Sequence, residues 1–81
     1  YVTEYYGSTI RKISASGTVT TLAGSGVQGY RDGTTTGANF NLPTALFANK
    51  DGYLFVADRA NAAIRLVTPG GKVTTLYKGQ P

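Results

Sequence analysis

Short apolar runs alternate with turn or connector segments along the second half of the chain. The segment 49–52 contains an Asp-Gly pair, which is a strong hairpin signal, and 68–71 combines proline with two glycines. The runs between these segments are rich in β-branched and aromatic residues, which favour strands. The pattern therefore predicts an antiparallel meander of four strands, at residues 44–48, 53–58, 63–67 and 72–77.

These runs do not alternate cleanly between apolar and polar positions. Leu54, Phe55 and Val56 are consecutive, and so are Leu46 and Phe47. Such runs are typical of a sheet that is buried on both faces. The first strand is the most apolar and the fourth is more polar, so we expect the first to be innermost and the fourth outermost.

An internal repeat relates the two ends of the chain. When the sequence is displaced by 54 positions, residues 1–24 align with residues 55–78 without a gap and share eight identities in 24 positions. The aligned pairs include Arg11 with Arg65, and 19–22 aligns with 73–76. The first copy begins within its second strand. This arrangement indicates repeated meanders, or blades, as in a β-propeller. We predict a partial blade at 1–24 (strands 2–4), a connector at 25–42 and a complete blade at 43–81.

A set of short motifs extends from the end of the partial blade through the connector into the second blade. These are Thr21-Leu22-Ala23-Gly24, Gly29-Tyr30, Asp32-Gly33, Ala38-Asn39-Phe40-Asn41 and Leu54-Phe55-Val56-Ala57-Asp58. With them the chain resembles the NHL-repeat family of β-propellers. The resemblance implies an all-β fold of four-stranded antiparallel blades, for which we expect a six-bladed whole. It also implies a platform that binds protein, carbohydrate or RNA. The family's frequent histidine has no counterpart here, since Ala62 and Ala63 occupy that region.

Composition narrows the expected partners. The chain has no cysteine and no histidine, so neither a disulfide nor a zinc site is expected to stabilise its 81 residues. Completion by further blades, in the same chain or in a homo-oligomer, is therefore predicted. The net charge of +4 comes from scattered basic residues, which argues against nucleic acid, and no apolar run approaches a membrane span. No cofactor or metal is predicted. A dinucleotide site requires a Gly-rich segment that follows a strand and opens a helix. The segment 24–29 follows a predicted strand but opens no helix, so a dinucleotide site is not predicted.

Several residues are candidates for binding. Tyr5 and Tyr6 interrupt the repeat, because Arg59 and Ala60 occupy the equivalent positions, and we expect the tyrosines to be exposed. The full set of predicted binding residues is Tyr5, Tyr6, Asp58, Arg59 and Asn61.

Four residues, of which Asp58 is also a binding candidate, have a structural interpretation. Asp58 is equivalent to Glu4 and is expected to accept N–H bonds from the connector that follows its strand. Arg65, like Arg11, is expected to pair with a carboxylate of a neighbouring blade or to reach the rim. Tyr30 and Phe40 are predicted to fill the gap between blades.

Two functional hypotheses remain open. The first is a non-catalytic scaffold for interaction or assembly, because the chain offers no pairing of a nucleophile with a base. The alternative is a piece of a propeller enzyme of the metal-dependent lactonase or lyase type. Asp58 and Asn61 would then contribute to a site completed by other blades. The tyrosine and threonine content favours an extracellular or periplasmic setting.

Overall fold

The computed structural model describes residues 1–79, in which strands are joined by tight turns and two single-turn 3₁₀ helices. The elements are β1 (Val2–Glu4), β2 (Thr9–Ile13), β3 (Val19–Ala23), β4 (Gly33–Thr34), η1 (Thr35–Gly37), β5 (Pro43–Ala48), β6 (Leu54–Asp58), η2 (Arg59–Asn61), β7 (Ala63–Val67) and β8 (Lys72–Lys78). In this part of the chain, no helix has the length and apolar character needed to cross a membrane.

The strands form two sheets in which every pairing is antiparallel. The first sheet has the order β1-β2-β3, and we call it blade one. The second has the order β4-β8-β7-β6-β5, and its four longer strands, β5 to β8, are blade two. The four strands of blade two lie within one residue of the bounds that the hydrophobic pattern predicts.

The repeat extends from the sequence to the backbone. In blade one a register shift falls between Ile10 and Arg11, and Arg11 then lies opposite Thr21. In blade two the same shift falls between the equivalent Ile64 and Arg65, and Arg65 lies opposite Thr75. A bulge changes the direction in which the next side chain points. The two equivalent arginines are therefore presented by matching backbone.

The connector has more structure than its glycine-rich sequence suggests. Its β4 adds to the outer edge of β8, with Gly33 opposite Val73, and an isolated bridge joins Arg31 to Asn39. The Thr35 N–H donates to the Gly71 carbonyl at 2.8 Å. The connector is therefore folded along blade two. It covers the first two residues of the edge strand β8, whose backbone groups would otherwise be open to pairing with another chain.

The core lies between the two blades and under the connector. Its residues are Ile10 and Ala23 from blade one, Ala38 and Phe40 from the connector, and Leu54, Val56, Val67 and Val73 from blade two. Blade two is predicted to be buried on both faces, but the structure buries only the face that meets blade one and the connector. The opposite side of the sheet, which we call the open face of blade two, leaves Phe47, Ile64 and Tyr77 exposed by 68, 39 and 65 %. The cause is that alternate residues of a strand point to opposite faces, and only one face meets blade one.

Candidate functional site

A buried ion pair lies at the centre of blade two. Arg65 and Asp58 are both fully buried, and Arg65 Nη1 donates to Asp58 Oδ2 at 2.6 Å. Asp58 ends β6 and Arg65 lies on the adjacent β7, so the register of the two strands places both side chains on the same face of the sheet. A buried charge is tolerated only when it is paired and hydrogen-bonded.

The connector supplies the remaining partners of the Arg65 guanidinium. Nη1 also donates to the Asn39 carbonyl at 3.0 Å, and Nη2 donates to the Arg31 carbonyl at 2.8 Å. A second carboxylate, Asp32, accepts from Nη2 at 3.0 Å and keeps 48 % of its side chain exposed. The Phe40 ring lies beneath the guanidinium, 5.1 Å from Cζ to the ring centroid. Arg65 therefore fastens the connector to blade two through charge, backbone carbonyls and an aromatic face.

Asp58 completes the same network from the opposite side. Its Oδ1 accepts the Asn41 N–H at 2.7 Å, and its Oδ2 accepts from Asn61 Nδ2 at 2.7 Å. Asn61 also donates to the Gly29 carbonyl at 2.9 Å. The expectation that Asp58 binds the connector after its strand is thus corrected: the backbone donor comes from the connector before the blade. Pro43, the first residue of β5, lies opposite Asp58 on β6, and this pairing places Asn41 beside the carboxylate.

Asp58 and Asn61 are also among the residues predicted to bind ligand. Their polar atoms point into the network, and both carboxylate oxygens of Asp58 already accept hydrogen bonds from the protein. Within residues 1–79, no group of three or more aspartate, glutamate, histidine or cysteine side chains is arranged to hold a metal ion.

Phe40 and Tyr30 have different environments. Phe40 is fully buried in the core, together with apolar residues of both blades. Tyr30 keeps 46 % of its surface exposed, and its hydroxyl donates to Thr75 Oγ1 at 2.9 Å. Its ring also lies 4.9 Å from Arg65 Cζ and 5.2 Å from Lys78 Nζ. Tyr30 therefore packs along the outer strands of blade two, because its hydroxyl needs a polar partner.

The equivalent ion pair in blade one is more open. Arg11 Nη1 donates to Glu4 Oε1 at 2.9 Å, with 31 and 44 % of the two side chains exposed. The Thr9 hydroxyl donates to the same oxygen at 2.9 Å. The hydrogen bonds from Thr9 and then Arg11 hold the pKa of Glu4 below its ordinary value. The expected partner from a neighbouring blade is therefore not what the structure shows: Arg11 pairs with Glu4 of its own blade, and Arg65 pairs with Asp58 of its own blade and with Asp32 of the connector.

A small aromatic and cationic cluster lies at one end of the blades. Tyr5 and Tyr6 follow β1, and Arg59 follows β6 at the equivalent place in the next blade. Arg59 Nη1 donates to the Tyr5 hydroxyl at 3.1 Å, and the two tyrosine rings meet edge to face with centroids 4.8 Å apart. Tyr6 is 86 % exposed. The structure thus brings together three of the five predicted binding residues, and we call them the tyrosine cluster.

Sequence reasoning assigned no role to Asp32 or Thr75 in this network. The Thr75 hydroxyl donates to Asp32 Oδ1 at 2.8 Å while it accepts from Tyr30. The Asp32-Gly33 motif drew attention to the position, but a contact over more than forty residues of sequence gives no local signal. The signal for Asp32 is indirect: Arg65 recurs as Arg11 in the repeat and needs carboxylate partners, and Asp32 is one of the four carboxylate residues in the chain.

No family model matches the chain. Protein SUPPRESSOR OF QUENCHING 1, chloroplastic, from Arabidopsis thaliana is 40 % identical over 68 residues, which are 83 % of this chain and 6 % of that protein. A crystal structure of an auxiliary nutrient binding protein from Bacteroides thetaiotaomicron VPI-5482 superposes with a TM-score of 0.69 and 22 % identity. The superposition covers 86 % of this chain and 21 % of that one.

The likeness of structure shows the class of fold. The chain is all-β, and its antiparallel meanders are of the β-propeller type. The chain spans 6 % of the length of the Arabidopsis protein and 21 % of the length of the Bacteroides protein.

Proposed function

We propose that the chain is a non-catalytic interaction module of a β-propeller. Its blades are completed by further blades, and one end of the assembled blades binds ligand. The main support is the open face of blade two, because its exposure can be compared with that of the equivalent face of blade one in the same chain. Ile10 and Ala23 in blade one are fully buried by the core, whereas the equivalent Ile64 and Tyr77 in blade two are exposed by 39 and 65 %.

The chemistry of the open face supports another blade as the partner. Phe47 and Phe55 lie opposite each other on adjacent strands with ring centroids 6.4 Å apart, and Ala57 lies opposite Ile64 on the next pair. These side chains form an apolar surface across three strands. An exposed apolar surface of this kind marks an interaction site. Blade one meets blade two through the equivalent surface, so a third blade would continue an interface already present.

The mass of the 81-residue chain in solution tests this part of the proposal. Light scattering coupled to size exclusion should give a particle larger than 8.5 kDa that dissociates on dilution. Ile64→Asp should shift the particle towards the monomer, because it places a charge on the open face. Val27→Asp is the matched control, since Val27 is 65 % exposed on the connector. A stable, folded monomer of the unsubstituted chain at high concentration would overturn the assembly proposal.

The tyrosine cluster supports a ligand-binding end. Exposed tyrosine beside arginine is the composition enriched at binding hot spots. Tyr6 offers a ring face and Arg59 offers hydrogen-bond donors, which suits the apolar faces and hydroxyls of a sugar. The structurally similar protein from Bacteroides thetaiotaomicron is an auxiliary nutrient binding protein, which is consistent with this choice. We therefore propose carbohydrate as the ligand class.

An array of immobilised glycans tests the ligand proposal. At least one glycan should bind, and Tyr6→Ala should weaken binding by about tenfold or more, as expected for a hot-spot residue. Tyr53→Ala is the control, because Tyr53 is a partly exposed tyrosine beside the 49–52 turn, at the opposite end of the strand from Arg59. Absence of any glycan binding, or binding that is indifferent to Tyr6→Ala, would overturn the carbohydrate assignment.

A further inference from the structure

We propose that the Glu4–Arg11 face of blade one is a binding site for the connector of a further repeat. The occupant is an extended segment of the type found at residues 27–42, with an aspartate and an aromatic residue placed as Asp32 and Phe40 are. This proposal rests on the proposed function. It adds the chemistry of the partner that binds blade one, on the face turned away from blade two.

The exposure of equivalent apolar residues is the first observation. Val2, Ile13 and Val19 on this face of blade one are exposed by 44, 50 and 48 %. Their equivalents in blade two, Val56, Val67 and Val73, are exposed by 0, 0 and 1 %. The side chains are the same or nearly the same in kind, so the difference comes from what covers them. In blade two the cover is the connector, with Phe40 in the core, together with blade one.

The geometry of the arginine is the second observation. The same register shift precedes Arg11 and Arg65, and each arginine lies opposite the threonine of the repeat, Thr21 or Thr75. Each also pairs with the acidic residue that ends the preceding strand. Three polar groups that bind the connector in blade two, those of Arg65, Asp58 and Thr75, therefore have counterparts in blade one, whereas Gly7 stands at the position equivalent to Asn61.

The bonding of the two guanidinium groups is the third observation. Arg65 donates to two carboxylates and to two connector carbonyls, those of Arg31 and Asn39. Over residues 1–79, the hydrogen bond recorded for the Arg11 guanidinium goes to Glu4. A guanidinium carries five N–H donors in a fixed plane. Arg11 thus has donors to offer to carbonyls and to a carboxylate, in the arrangement that Arg65 already uses.

A connector already bound to its own blade cannot be the occupant. The connector of this chain is fastened to blade two through Arg65, Asp58 and Asn61. Tethering gives it a high effective concentration at that site, so a second folded copy would not release it. A connector segment that is free of its blade is therefore the partner that fits.

The experiment adds the occupant as a peptide. A fluorescently labelled peptide with the sequence of residues 27–48 is titrated with the 81-residue chain at low concentration, and its anisotropy is followed. This length includes Pro43–Ala48, the strand that pairs with β6 in blade two; β1 is the equivalent of β6 and lies at the edge of its sheet. We expect saturable binding, weakened about tenfold or more by Arg11→Ala, since hydrogen bonds to a charged group are lost.

Control variants locate the site. Lys12→Ala removes the same charge from the neighbouring position of β2, which points to the other face, and should leave the affinity unchanged. Within the peptide, Asp32→Asn and Phe40→Ala should each reduce affinity, whereas Thr36→Ala should not, because Thr36 is exposed in the connector.

The outcomes separate this inference from the proposed function. No binding of the peptide, or binding that Arg11→Ala leaves unchanged, would overturn the site. Association of the chain with itself that Arg11→Ala abolishes, without peptide binding, would also overturn it, because the occupant would then be a second copy. In each of these cases the light-scattering result with Ile64→Asp still decides whether further blades cover the other face.

Discussion

Replacing Arg65 by alanine should destabilise the chain far more than replacing Arg11, although the two arginines occupy equivalent places in the repeat. Arg65 has no exposed surface and lies between two carboxylates and two carbonyls. Arg11 is part of a solvated pair with Glu4, with 31 and 44 % of the side chains exposed. The two substitutions remove the same atoms, so the difference between them measures the environment.

The magnitudes follow from burial. Arg65→Ala leaves the Asp58 carboxylate buried without its cation, which costs about 3–5 kcal/mol in comparable buried pairs. Arg11→Ala breaks an exposed pair, which contributes about 0–1 kcal/mol. A domain of this size has about 4–12 kcal/mol of stability in total, so Arg65→Ala should remove a large part of it.

Urea denaturation followed by circular dichroism measures both free energies of unfolding. The variants are compared at one protein concentration, because self-association would shift the apparent stability. We expect Arg65→Ala to lower the free energy of unfolding by about 2 kcal/mol or more beyond the effect of Arg11→Ala. Equal effects of the two substitutions would refute the conclusion that buried Arg65 holds the connector against blade two through its hydrogen bonds.

Three further predictions concern single positions. Gly71→Ala should lower the melting temperature far more than Gly17→Ala. Both glycines have φ of +91°, but a Cβ on Gly71 would lie 2.5 Å from the Leu22 carbonyl oxygen, whereas a Cβ on Gly17 would meet open space. Gly17→Ala should therefore cost only the backbone strain of about 1–2 kcal/mol. Phe40→Ala should cost about 3–5 kcal/mol in urea denaturation, because Phe40 is fully buried in the core; an effect below 1 kcal/mol would contradict that placement. The lowered pKa of Glu4 means that its ionised form stabilises the fold above the unfolded value of about 4.3, and that this contribution is lost as the pH falls through the folded value. Glu4→Gln should therefore flatten the dependence of unfolding free energy on pH in that acidic range, and an unchanged profile would contradict the pairing.

Much of blade two could be predicted from the sequence, because its strands are decided locally. The 49–52 and 68–71 turns and the apolar runs between them place β5 to β8 within one residue of their positions. The repeat likewise located Arg11 and Arg65 as a related pair. In both cases the signal lies within a few residues of the feature, or in a direct comparison of two segments.

The connector and its contacts could not be predicted in the same way. Gly33 and Thr34 form a strand only because β8 offers them an edge, and two residues are too few to show a period. Asp32 reaches Arg65 across 33 positions of sequence. The partly exposed position of Tyr30 depends on the hydrogen bond that its hydroxyl donates to Thr75, which lies 45 positions further along the sequence. These features are set by tertiary packing, which local patterns do not contain.

The two blades of one repeat differ because the connector covers the Asp58–Arg65 face of blade two and leaves the equivalent Glu4–Arg11 face of blade one open. Hydrogen–deuterium exchange, read by NMR at equivalent amides, measures this difference. We expect slower exchange in β6 and β7 than in the equivalent β1 and β2, because Val56 and Val67 are fully buried while Val2 and Ile13 are about half exposed. Equal protection in the two blades, or greater protection in blade one, would contradict it.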